Sequence, residues 1–101
     1  MNLDIEGMAE AGGRFACTCL GEMYEDGRGV DQNYTTAVKW FGKAAEQGYA
    51  DAQSSLGGMY KNGWGVDENE STAVELYLLA AEQGHPTAQL NLGIMYQMGW
   101  A

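Results

Sequence analysis

Residues 51–66 read Asp51-Ala52-Gln53-Ser54-Ser55-Leu56-Gly57-Gly58-Met59-Tyr60-Lys61-Asn62-Gly63-Trp64-Gly65-Val66. Ala52, Leu56, Met59, Tyr60 and Gly63 recur at steps of three and four, the spacing of one helical face rather than the alternation of a strand. Gly57 stands beside Leu56 on that inward side, where a missing side chain lets a neighbouring helix come close. Glycine there costs roughly 1 kcal/mol of helix propensity relative to alanine, so a packing gain must offset it. Asn62-Gly63-Trp64-Gly65 then stops the helix, because glycine takes the positive φ that reverses a chain.

Working outward, Asn69 is placed as the N-cap of a second helix through Thr72–Ala81, with Ala73, Leu76, Tyr77, Ala80 and Ala81 on a shared face. Gly84 ends it as a C′ glycine, and His85-Pro86 opens another helix with proline at its first position. The whole unit repeats. Gly21, Gly57 and Gly93 stand 36 residues apart, as do Leu20, Leu56 and Leu92, and Tyr24, Tyr60 and Tyr96. Residues 13–48 laid on 49–84 agree at about half their positions, where unrelated sequence gives well under a tenth. The expected fold is all-α: a superhelical α/α solenoid of stacked antiparallel helix-turn-helix repeats of period 36. Residues 1–12 read as the second helix of an incomplete preceding repeat, 13–48 as repeat 1 and 49–84 as repeat 2. Residues 85–101 read as the first helix of an incomplete repeat 3, the whole forming one domain.

The pattern Ala-x3-Leu-Gly-x-Met-Tyr-x2-Gly-x-Gly-Val, followed by Ala-Val and Ala-Ala-Glu-Gln-Gly, resembles the Sel-one-like repeats, relatives of the tetratricopeptide repeat. The resemblance covers residues 13–99 almost without a gap, and Met8–Gly12 aligns with Ala44–Gly48. Departures are Gly42-Lys43 where the second unit has Leu78-Leu79, and Ala101 at the place of the second loop glycine. The resemblance implies an adaptor or scaffold that binds a partner on its concave, first-helix face.

Composition narrows the function classes. A net charge of −9 leaves no basic patch for nucleic acid or an anionic membrane, since phosphate contacts need clustered Lys or Arg. No stretch approaches the roughly 20 apolar residues of a membrane span. The start Met1–Glu6 is acidic and lacks the basic, apolar form of a secretory signal, so a cytoplasmic location is expected. Cys17 and Cys19 sit about 200° apart around a helix and cannot pair with each other.

Residues of chemically active type mostly read as structure. His85 lies in a Gly-His-Pro turn with no second ligand at metal-binding spacing, and reads as an exposed turn histidine. Cys17 and Cys19, aligned with Gln53 and Ser55, read as ordinary helix positions. Glu22, Glu25 and Asp26 read as a solvated charged face rather than an acid–base pair, and the glycine pairs of the loops lack the Lys-Ser/Thr of a phosphate loop. The tyrosines and methionines at fixed repeat positions read as core. No enzyme activity, cofactor or metal is expected, and the resembled family's cysteine-rich members offer no carry-over, since their regularly spaced cysteine pairs are missing.

Binding must therefore come from positions that vary between repeats. If the first helices line the concave face, its lining is Phe15, Thr18, Glu22 and Glu25, then Asp51, Ser54, Gly58 and Lys61, then Thr87, Leu90, Ile94 and Gln97. Leu90 and Ile94 are either an exposed anchor or a surface that a further repeat covers. Trp64 and Trp100 share a loop-tip position with Arg28, and form either a second surface or a packing contact with the neighbouring unit. The expected partner is a protein or peptide, with head-to-tail self-association a further option. The alternative is a small acidic inhibitor or immunity-type protein that blocks a basic surface by charge complementarity.

Overall fold

In a computed structural model, residues 5–99 are described. They form six helices: α1 (Ile5–Glu10), α2 (Arg14–Asp26), α3 (Tyr34–Glu46), α4 (Ala50–Asn62), α5 (Glu70–Glu82) and α6 (Pro86–Gln97). Among the described residues there is no strand. Each helix packs on its neighbours in sequence, and the stack measures 51 × 26 × 17 Å. This is the all-α solenoid that the 36-residue period requires.

Local chemistry sets the helix ends. Asn33 Oδ1 accepts the Thr36 N–H and Asn69 Oδ1 accepts the Thr72 N–H, both at 3.0 Å, so α3 and α5 carry the side-chain caps expected of asparagine. α2 and α4 stop at Gly27 and Gly63, each with φ of 70°. The loop is then tied back by its own backbone: the Asn33 and Asn69 N–H groups donate to the Tyr24 and Tyr60 carbonyls at 2.8 Å.

Packing within a repeat uses the glycine noted above. The ring of Phe41 on α3 lies over Gly21 of α2, and the ring of Tyr77 on α5 lies over Gly57 of α4. A Cβ on Gly21 would meet two Phe41 ring carbons at 2.8 Å, so only glycine admits the ring at this distance. Gly93 of α6 has nothing within 4 Å, because no described helix covers that side of α6. For the same reason Tyr96 is exposed, unlike half-buried Tyr24 and Tyr60. The core has two parts, one from Ala9 to Met59 and one around Ala73, Tyr77, Ala80, Ala88 and Met95, and Tyr60 packs against both.

One position forms a ladder between repeats. Cys17, Gln53 and Gln89, 36 residues apart, each donate to a carbonyl eight residues earlier on the preceding second helix: Ala9, Ala45 and Ala81. Gln83 extends the middle rung by donating to Gln53 Oε1 at 2.9 Å. Cys17 is therefore a buried structural donor, and burial pushes its thiol pKa up, against a smaller opposing pull from Lys43.

Candidate functional site

A cleft of about 390 Å³ opens between α2, α4 and α6. Glu22 and Glu25 of α2 form one wall, Asp51, Ser54, Ser55 and Gly58 of α4 the floor, and Thr87 and Asn91 of α6 the far wall. Three further residues enter from outside the first helices: Trp64 from the α4–α5 loop, His85 from the start of α6, and Tyr77 from α5 below. No Lys or Arg lines it.

His85 is not the exposed turn residue that its sequence context suggests. Its side chain is 17% exposed, Nδ1 accepts the Ala88 N–H at 3.2 Å as the N-cap of α6, and Nε2 lies 2.7 Å from Asp51 Oδ1. An N–H can only donate, so Nδ1 holds a lone pair and the ring proton sits on Nε2, directed at Asp51. The ring thus orients the Asp51 carboxylate while capping α6. The equivalent pair one repeat earlier is Phe15 and Tyr49, whose rings meet edge to face with centroids 6.1 Å apart. Burial, then the nearby Asp51 carboxylate, pushes the Tyr49 phenol up.

Electrostatics accumulate on the α2 wall. Burial first, then Asp26 and Glu22, raise the Glu25 carboxyl above its ordinary range. The two loop tryptophan readings merge in Trp64. Its ring stacks on Tyr34 of the preceding repeat, centroids 5.3 Å apart and 11° from parallel, yet it stays 43% exposed and lines the cleft. Gly65 makes this possible: a Cβ there would stand 2.6 Å from the Tyr34 carbonyl. Trp100 lies outside the described residues.

The other sequence-nominated residues divide. Glu22, Glu25, Asp51, Ser54, Gly58 and Thr87 come together in the cleft. Thr18 is buried, not outward, because its hydroxyl turns back to the Arg14 carbonyl at 2.8 Å. Phe15 is exposed beside Tyr49, Lys61 is half-buried, and Leu90, Ile94 and Gln97 lie along α6 outside the cleft lining. Leu90 is 63% exposed and Ile94 half-buried. Sequence reading missed Ser55, Tyr77, His85 and Asn91 as lining. The pair Asp51–His85 lies 36 residues after Phe15–Tyr49, which the structure also brings together, and nothing local in the sequence marks either pair. Among the described residues, no three His, Cys, Asp or Glu side chains converge as a metal site would require, and no helix is long and apolar enough to cross a membrane.

Comparison with known proteins places this geometry. The Sel1 repeat family model matches residues 15–49, 50–85 and 86–100. Among solved structures, a protective antigen of uropathogenic Escherichia coli strains, displaying an SLR fold, superposes with a TM-score of 0.92 at 41% identity. That match covers 94% of this chain and 20% of the antigen. A Sel1 repeat protein from Oxalobacter formigenes gives 0.84 at 39% identity, covering 88% of this chain and 37% of that one. The chain thus spans a fifth to somewhat over a third of these two proteins. No curated protein sequence matches it.

Proposed function

The chain belongs to the Sel1 repeat family, a class of protein–protein interaction modules, and from that premise we propose that its first-helix face is a concave surface that grips a peptide or protein segment. One observation carries this reading: the positions that differ between repeats, rather than those that repeat, assemble the cleft between α2, α4 and α6. Core positions keep their identity because packing fixes them, while cleft positions change from Glu22 to Gly58 and from Phe15 to Asp51 without disturbing the stack. Exposed Leu90 with Ile94, one turn further along α6, gives such a segment an apolar contact beyond the cleft.

The test is a display library of random peptides panned against the intact chain, with the footprint of each hit mapped by amide chemical shifts. The expected footprint includes Ser55, Gly58, Trp64 and Asn91. Hits that footprint instead on exposed residues of α3 and α5, such as Lys39 and Glu75, refute the reading. Loss of capture in a folded Leu90→Glu/Ile94→Glu variant extends the surface along α6, and unchanged capture removes those two residues from it.

A second reading rests on the −9 charge and the acidic cleft wall: a blocker of a basic partner surface. It requires affinity that falls steeply with salt, whereas a salt-indifferent complex rejects it. Head-to-tail self-association would rest on the uncovered side of α6, where Gly93 is open and Tyr96 and Met98 are exposed. A mass that stays monomeric across concentration by light scattering eliminates it.

A further inference from the structure

Tyr77 is 2% exposed, and its hydroxyl has no hydrogen-bond partner among the described residues. It lies beneath Gly58, 3.5 Å from where a Cβ would stand, and lines the cleft. The first repeat fills the same slot with Phe41, fully buried, and has Glu22 in the place of Gly58. Packing therefore needs the ring but not the oxygen. The second repeat differs at two linked positions: one adds a hydroxyl at the bottom of the cleft, and the other removes the side chain that would cover it. No side-chain oxygen among the described residues is both fully buried and unpartnered, so this hydroxyl keeps a narrow opening to the cleft, and a polar atom presented there without a protein partner points to a group that enters from the cleft.

The surroundings define that group. Asp51 is oriented by His85 Nε2, and Glu22 and Glu25 add carboxylates on the facing wall. Trp64 is clamped on Tyr34, so an indole is held rigidly at the cleft edge. Carboxylates, an aromatic face and a hydroxyl able to accept suit an N–H-bearing cation. The acidic groups are strung along the cleft rather than converging on a point, which suits an elongated organic cation better than a metal ion. We propose that the cleft is a receptor for one lysine or arginine side chain of the partner, its charged head between Asp51 and the Tyr77 hydroxyl and its stem along Trp64. This rests on the first-helix face being the binding face, and specifies what that face selects.

The test titrates the intact, isotopically labelled chain at fixed ionic strength with N-acetyl-lysine amide and N-acetyl-arginine amide, against N-acetyl-norleucine amide as the uncharged control. Saturable shifts at the Trp64 indole N–H, Gly58 and His85 are expected with the cations and not with norleucine. Tyr77→Phe keeps the ring that Phe41 shows to be sufficient for packing, and should weaken cation binding about threefold to tenfold. Asp51→Asn should weaken it about tenfold or more. Equal response to norleucine, unsaturable shifts scattered over the acidic surface, or unchanged affinity in both variants overturns the proposal. Panned peptides separate the two levels. Hits on the first-helix face that lack Lys and Arg, or that bind Tyr77→Phe and Asp51→Asn as tightly as the parent, overturn the cation receptor alone. Hits that footprint elsewhere overturn both.

Discussion

Alanine at the three equivalent glycines should produce stability changes of different sign, although Gly21, Gly57 and Gly93 are identical in repeat position. A Cβ on Gly21 would meet two ring carbons of Phe41 at 2.8 Å, and Phe41 is fully buried. Forcing a methyl into a filled core costs about 1–3 kcal/mol, and this contact belongs at the upper end. Helix propensity returns about 1 kcal/mol. The net loss for Gly21→Ala is thus about 1–2 kcal/mol. At Gly57 the nearest ring atom of Tyr77 is 3.0 Å away, so the penalty is smaller and the net loss falls to about 0–1 kcal/mol. At Gly93 nothing lies within 4 Å, which leaves propensity alone and a gain of up to about 1 kcal/mol. Urea unfolding followed by far-ultraviolet circular dichroism, with slopes compared for constancy, reads all three. The expected order of stability is Gly93→Ala, parent, Gly57→Ala, Gly21→Ala. A destabilised Gly93→Ala, or a Gly21→Ala more stable than Gly57→Ala, would refute the claim that these glycines exist to admit a ring.

Gly29 and Gly65 have nearly the same φ, 77° and 78°, but only Gly65 abuts the Tyr34 backbone. Gly29→Ala should cost about 1 kcal/mol for the left-handed conformation, and Gly65→Ala about 2–3 kcal/mol because the Trp64–Tyr34 stack is lost as well. Equal losses in the two variants, measured by the same urea unfolding, would show that the loop does not rest on the preceding repeat. Thiol alkylation followed by mass spectrometry should modify half-buried Cys19 first, with Cys17 protected until the fold opens; early modification of Cys17 contradicts its role as a buried donor. Glu25 has its folded-state pKa raised, so its ionisation disfavours the fold above the folded pKa and has no effect below the unfolded one, about 4. Glu25→Gln should therefore be more stable than the parent at neutral pH, and the difference should shrink on acidification through the carboxylate range. A difference that grows toward low pH would reverse the assigned cause.

The fold was legible because a repeat writes its packing rule more than once. Gly21 alone is an odd glycine in a helix, whereas Gly21 with Gly57 and Gly93 is a contact requirement. The site was legible only where outward residues stay on the helix that carries them, as with Glu22, Glu25 and Asp51. Three kinds of residue escaped. Thr18 has an outward position in the helical count, but its hydroxyl is spent on the Arg14 carbonyl. Trp64 has two open readings in the sequence, an outward surface or a packing contact, because nothing local shows that Gly65 brings the loop against Tyr34. His85 looked solitary because its partner is 34 residues away, one repeat less two positions, and becomes visible only when the junction pair Phe15–Tyr49 is laid over Asp51–His85.

That last correspondence explains how a nearest-neighbour stack acquires a binding site at little structural cost. Each junction needs something across the slot that joins a first helix to the start of the next, and the chemistry of that something is open. Edge-to-face rings close the slot between Phe15 and Tyr49, while a hydrogen-bonded carboxylate and imidazole close it between Asp51 and His85. The capping requirement is equally permissive: Gly13 and Tyr49 begin their helices without a side-chain cap, and His85 supplies one. Because each junction touches only its neighbours, the exchange of apolar for polar closure stays local. The ladder of Cys17, Gln53 and Gln89 meanwhile keeps the same acceptor position, eight residues earlier, at every rung. A polar cleft can thus arise at one junction of an otherwise uniform solenoid, and its character is set by pairs of residues in register rather than by any single motif.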